Sequence, residues 1–110
     1  MPLVRINTNL ITDWGSFHDV FARTLGFPES YGRNMNAWID CMTCLDDAEA
    51  CMSSVHGPPT DPVVLQIDAV NNLPQDIYES LVECAAFVNW RRIEQGDQAI
   101  LVLSFHRTAQ

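Results

Sequence analysis

Lysine is absent from this chain, and all six basic side chains are arginines. Between Asn34 and Trp90 arginine is missing too, while Asp40, Asp46, Asp47, Glu49, Asp61, Asp68, Asp76, Glu79 and Glu83 fall in that stretch. The first 33 residues balance to zero and the last 20 carry one net positive charge, so the formal net charge of −8 arises in the middle. A field of that sign repels nucleic acid and attracts a basic protein, accelerating encounter at low ionic strength. The plainer use of such acidity is solubility. Direct nucleic-acid binding is not expected.

Other absences narrow the function further. There is no glycine-rich phosphate loop and no Gly-x-Ser-x-Gly, and His18, His56 and His106 are scattered along the chain. Asp46-Asp47 reads as a solvated helix end rather than a general acid/base pair, so an enzyme is not expected. His18, beside Phe17 in a helical pattern, and His106, near a strand end, read as structural or exposed. No stretch approaches about 18 consecutive apolar residues, which excludes a spanning helix. The start, Met-Pro-Leu-Val-Arg-Ile-Asn, lacks a basic leader followed by an apolar run, so a cytoplasmic protein without a membrane partner is expected.

Four cysteines are present. Cys41-x-x-Cys44, with Cys51 and His56 behind it, invites a zinc or redox reading. The spacings do not form two well-separated ligand pairs, and the motif starts about two turns inside a helix rather than at the N-terminus, where a helix dipole would lower a thiol pKa. Cys41 and Cys84 read as small core residues, Cys44 and Cys51 as free thiols in a reducing compartment. No cofactor and no metal are expected.

With 110 residues, 47% of them hydrophobic, the chain is long enough for one domain, residues 1–110, with its own core. Leu3 to Ile6 reads as a first strand. Ser16, with Asp19 three residues on, reads as a capping box opening a helix whose Phe17, Val20, Phe21, Thr24 and Leu25 repeat at helical spacing. A second helix runs from Met35 to about Asp46 or Ala50, and Ser53 to Pro62 is a loop. Val63 to Ile67 is the second strand, Asp76 to about Gln95 the longest helix, and Ala99 to Leu103 the third strand. The near-continuous apolar runs of the last two strands suit a buried parallel sheet. Strand, helix, helix, strand, helix, strand is an α/β order with right-handed crossovers. Trp38 and Trp90 fall in helical patterns where core packing is the default.

The most informative segment is Gly-Phe-Pro-Glu-Ser-Tyr-Gly-Arg-Asn-Met-Asn-Ala-Trp-Ile-Asp-Cys-Met-Thr, Gly26 to Thr43. Leu25-Gly26 ends one helix, Pro28 prevents its resumption, Gly32 permits a positive φ, and Asn34 is a good N-cap for the next helix. At about 100° per residue, Met35, Trp38, Cys41, Met42 and Leu45 gather on one side of that helix. Asn36, Asp40, Thr43 and Asp47 gather on the other, with Ile39 at the margin, beside a loop holding Ser30, Tyr31 and Arg33. Read alone, the polar stripe is an ordinary solvated face.

Leu-Gly-Phe-Pro-Glu before the loop, Tyr31-Gly32 within it, Asn34 at the helix start, and Asp40-Cys41 with Thr43 one turn on resemble the barstar family of intracellular ribonuclease inhibitors. The resemblance implies an α/β fold, a small three-stranded parallel sheet covered by helices in the order β-α-α-β-α-β, with at most one turn of the family's extra helix in Ala69 to Leu73. It also implies a mechanism in which an acidic helix mimics substrate phosphate in the active site of a basic ribonuclease, and a role as an immunity protein to a toxin nuclease. Asp40 would be the anchor, Asn36, Ile39 and Thr43 its neighbours, and Tyr31, Gly32, Arg33 and Asn34 the loop wall. The chain departs from the family at Ser30, Asn36 and Ile39, and at Arg91, which stands where the family has an auxiliary glutamate. The alternatives are a non-inhibitory acidic module that binds another basic protein, and a cysteine-based redox or zinc protein.

Overall fold

The structure is a computed structural model that describes residues 3–45 and 62–107. Strand β1 is Leu3–Asn7, β2 Val63–Asp68 and β3 Leu101–Phe105; helix α1 is Trp14–Leu25, α2 Met35–Thr43 and α3 Gln75–Glu94. The strands form one parallel sheet in the order β1-β2-β3, with Val4 opposite Leu65 and Leu65 opposite Leu103. The expected element order and barstar-like α/β architecture are therefore present. Single 3₁₀ turns at Thr8–Leu10 and Val70–Asn72 follow β1 and β2, the second occupying the place of the expected extra turn.

The pleat divides the sheet into two faces. Val4 and Ile6, Val63, Leu65 and Ile67, and Leu101 are buried in one cluster with Phe17, Phe21, Leu25, Trp38, Met42, Leu81 and Val88 from the helices. Burying one such side chain stabilises the fold by about 1.5–3 kcal/mol. The alternate residues, among them Arg5, Gln66 and Val102, are half-buried or exposed. Among the described residues the helices therefore cover one face, and the apolar runs that suggested burial on both sides alternate in practice.

Two helix boundaries and one strand boundary differ from expectation for local reasons. Helix α1 starts three residues earlier than expected because Asp13 is the N-cap: its Oδ1 accepts from the Ser16 amide at 2.8 Å while Ser16 Oγ accepts from the Asp13 amide at 3.0 Å. The capping box is real, but Ser16 holds its N3 position and not its N-cap. Thr24 on the same helix is exposed, not core. Helix α2 ends at Thr43, with Cys44 as C-cap and Leu45 in a turn, so it does not run on to Asp46 or Ala50 as expected; residues 46 to 50 themselves and the loop from Ser53 as far as Asp61 lie outside the described residues. Strand β3 starts at Leu101 rather than Ala99, since the amides of Ile100 and Leu101 donate to Asn89 Oδ1 on α3 at 2.9 and 3.0 Å.

Candidate functional site

The loop between α1 and α2 is built by side chains as much as by backbone. Gly26 ends α1 at φ 66°, where glycine carries no Cβ penalty. The Tyr31 amide then donates to the Pro28 carbonyl at 2.9 Å. Contrary to the expectation for Gly32, the left-handed residue before α2 is Arg33, at φ 55°. Such a conformation costs a non-glycine residue about 1–2 kcal/mol. Arg33 offsets it by pairing with Asp19 and donating to the Gly15 carbonyl at 3.1 Å, which ties the loop back to the start of α1. Gly32 serves a different need: a Cβ there would stand 3.3 Å from Asn34 Nδ2 and 3.5 Å from Ala37 Cβ. Asn34 is the N-cap as expected, its Oδ1 accepting from the Ala37 amide at 2.8 Å.

The loop aromatic is anchored inward. Tyr31 is half-buried, its hydroxyl lies 2.6 Å from His18 Nδ1, and its ring stands 4.8 Å from that of Phe27. Burial pushes the Tyr31 phenol far up and, with the nearby Arg33 charge, pushes the His18 imidazole down. Both groups are therefore neutral at physiological pH, and His18 is the structural histidine its pattern suggested.

On α2, Asn36 and Asp40 are exposed and Ile39 is half-buried. Thr43 corrects the helical projection: it is buried, its hydroxyl donating to the Ile39 carbonyl at 2.6 Å. The end of α3 covers it. Arg92, itself buried, donates from Nη1 to the Thr43 carbonyl at 2.8 Å and from Nε to the Gln98 carbonyl at 2.7 Å. A cation thus satisfies a carbonyl at the negative end of α2. Asp47 lies outside the described residues.

The neighbouring arginine changes the electrostatics of the stripe. Arg91 Nη1 donates to Asp40 Oδ1 at 3.0 Å, the two side chains being 38% and 55% exposed. Asp68 is likewise paired, with Arg5 at 3.0 Å and Gln66 Nε2 at 2.8 Å, and these donors hold its carboxyl below the usual range. A stretch without arginine in sequence is therefore not without arginine in space. Of its nine carboxylates, Asp46, Asp47, Glu49 and Asp61 lie outside the described residues.

Cys41 is buried, Cys44 and Cys84 half-buried, and none of the three is in a disulfide. Burial, reinforced by Asp40, pushes the Cys41 thiol up to about 11, the opposite of what a redox nucleophile needs. Among the described residues no three of His, Cys, Asp and Glu gather as metal ligands would. Cys51 and His56 lie outside them. No helix among the described residues is long and apolar enough to cross a membrane.

A small parallel sheet with an asparagine-capped α2, an exposed aspartate on it and a pinned loop in front is the arrangement the resemblance implies. The family model described as barstar, barnase inhibitor, matches residues 1–104. The chain belongs to the barstar family. No curated protein matches the sequence closely enough to count as a relative. Within a barstar-family chain, the pairing of Asp40 with Arg91 is the feature that sequence reasoning missed. The signal was available, since Arg91 was already recognisable as a charge reversal in the last helix.

Proposed function

We propose that this barstar-family chain is an intracellular inhibitor of a basic ribonuclease, a role suited to an immunity protein against a toxin nuclease. The observation that carries the reading is Asp40: an exposed carboxylate on a short capped helix, oriented by Arg91, in a chain matched to the barstar family over residues 1–104. A ribonuclease holds substrate phosphate with Arg, Lys and His, and a carboxylate presented in that subsite accepts the same charge-assisted hydrogen bonds. Arg91 engages Oδ1, so the partner's cations would be taken up chiefly by Oδ2. Asn36 and Ile39 flank Asp40, and Tyr31, Gly32, Arg33 and Asn34 form the wall beside it. Thr43 supports the helix from within and is not a contact residue in this reading. The inhibitor works by occupancy, with no reaction step of its own.

The same Arg91 pairing favours a second reading, a non-inhibitory acidic module, because it offsets the charge of the anchor. An RNA-cleavage assay separates the two. Loss of ribonuclease activity on adding the protein supports inhibition, and binding without loss of activity supports the module.

A further inference from the structure

Residue type suggests that Trp90 packs in the core, and the structure places it outside. Helix α3 buries Ile77, Leu81, Ala85, Val88 and Arg92 on one stripe, and the opposite stripe of such a helix is ordinarily polar. Here Phe87, Trp90 and Ile93 stand 45%, 56% and 58% exposed, and the Phe87 and Trp90 rings lie 5.6 Å apart. Contiguous large apolar side chains left in water mark an interaction surface, and tryptophan is among the residues most enriched where binding energy concentrates.

The rim of this ridge indicates what covers it. Glu83 and Glu94 are exposed on α3, and at about 100° per residue both project within a quarter-turn of Phe87 and Trp90. A second copy of the chain would set these carboxylates against their own kind across a two-fold axis, in a molecule of net charge −8, and an anionic membrane surface would be repelled in the same way. A basic protein would be attracted. The ridge also approaches the edge of α2 at Phe87, because Arg91, one turn on and on the same side of α3, reaches Asp40 at 3.0 Å.

We infer that Phe87, Trp90 and Ile93 form the second half of the surface that receives the basic ribonuclease, whose matching face carries an apolar pocket edged by Arg or Lys beyond its phosphate subsite. This rests on the reading of Asp40 given above. The ridge adds apolar burial to the ionic contact and selects among ribonucleases that share a phosphate subsite.

The test uses the full chain, with barnase and a set of purified basic secreted ribonucleases as probes, by titration calorimetry. For a ribonuclease that binds the wild type, Phe87→Ala/Trp90→Ala is expected to weaken Kd by about tenfold or more, and Trp90→Phe by no more than about threefold. Melting temperatures should hold, since the side chains removed are exposed. Sedimentation at micromolar concentration should show a monomer. Binding that requires Asp40 but ignores the double alanine variant overturns the ridge and leaves the Asp40 reading intact. A dimer dissolved by Trp90→Ala assigns the ridge to a second copy and overturns the inference. Failure of the wild type to bind any ribonuclease in the set overturns both.

Discussion

Replacing Arg91 by glutamine should tighten binding to a basic ribonuclease, although it removes an ion pair. Arg91 Nη1 lies 3.0 Å from Asp40 Oδ1, so a partner cation taken up by the other carboxylate oxygen stands roughly 6 Å from the Arg91 charge. At an effective dielectric near 20 two like charges at that distance repel by about 3 kcal/mol, and in bulk water by about 0.7 kcal/mol. With Arg91 and Asp40 38% and 55% exposed, screening brings the realised repulsion to about 1.5 kcal/mol. Against this stands the orientation of Asp40 by the pair, worth about 0.5 kcal/mol for an exposed contact. Repulsion wins by about 1 kcal/mol, so Kd should fall about fivefold in Arg91→Gln. Asp40→Ala should cost about 3 kcal/mol or more, because the partner's cations lose their acceptor and face Arg91 instead. Adding Arg91→Gln to Asp40→Ala should recover about 1.5 kcal/mol, since the repulsion does not require Asp40 and no orientation of Asp40 is left to lose. Calorimetry of the four proteins against one ribonuclease reads these values, with melting temperature as the control. A Kd that worsens in Arg91→Gln as much as in Asp40→Ala would refute the reasoning, because Arg91 would then be meeting an anion on the partner.

Three further outcomes are expected of the protein alone. Asn34→Ala removes the acceptor for the Ala37 amide and should cost about 1 kcal/mol of stability, read by denaturant unfolding. His18 has its folded pKa depressed below 6.5 by burial, so below about pH 6.5 the unfolded chain binds the proton that the native state resists; stability should fall as the pH drops below that point, and less steeply in His18→Gln. Cys41, with its thiol pushed up to about 11, should resist alkylation at neutral pH in the native protein and react on unfolding, as followed by mass spectrometry.

Local signals carried most of the fold. Gly26 and Asn34 mark a helix end and a helix start through backbone geometry that few other residues satisfy as well, and both stand where expected. Ser16 misled because the two members of a capping box are chemically interchangeable here, and Asp13 fills the cap position that Ser16 also suits. Gly32 misled because glycine answers two different needs, a positive φ and a close approach, and this loop uses it for the second. What the chain could not disclose by periodicity is long-range. Thr43 lies on the polar side of α2 but is buried by contact with Arg92 from 49 residues away. Asp40 sits in an arginine-free stretch yet meets Arg91 across 51 residues. Trp90 belongs by residue type to the core and by angle to the outside of α3, and residue type prevailed wrongly. The candidate site was legible because its elements are contiguous between Tyr31 and Asp40, while its charge state depended on a helix that packs beside it only in the folded protein.

The central claim is that Asp40 blocks a ribonuclease active site. Titrating the protein into a fixed amount of a ribonuclease that it binds, while following cleavage of a fluorogenic RNA, addresses this most directly. Activity should fall in a straight line to near zero at equimolar protein, and Asp40→Ala should turn the line into a shallow curve. A ribonuclease that calorimetry shows to be saturated with the protein, yet which cleaves RNA at its full rate, would contradict the claim.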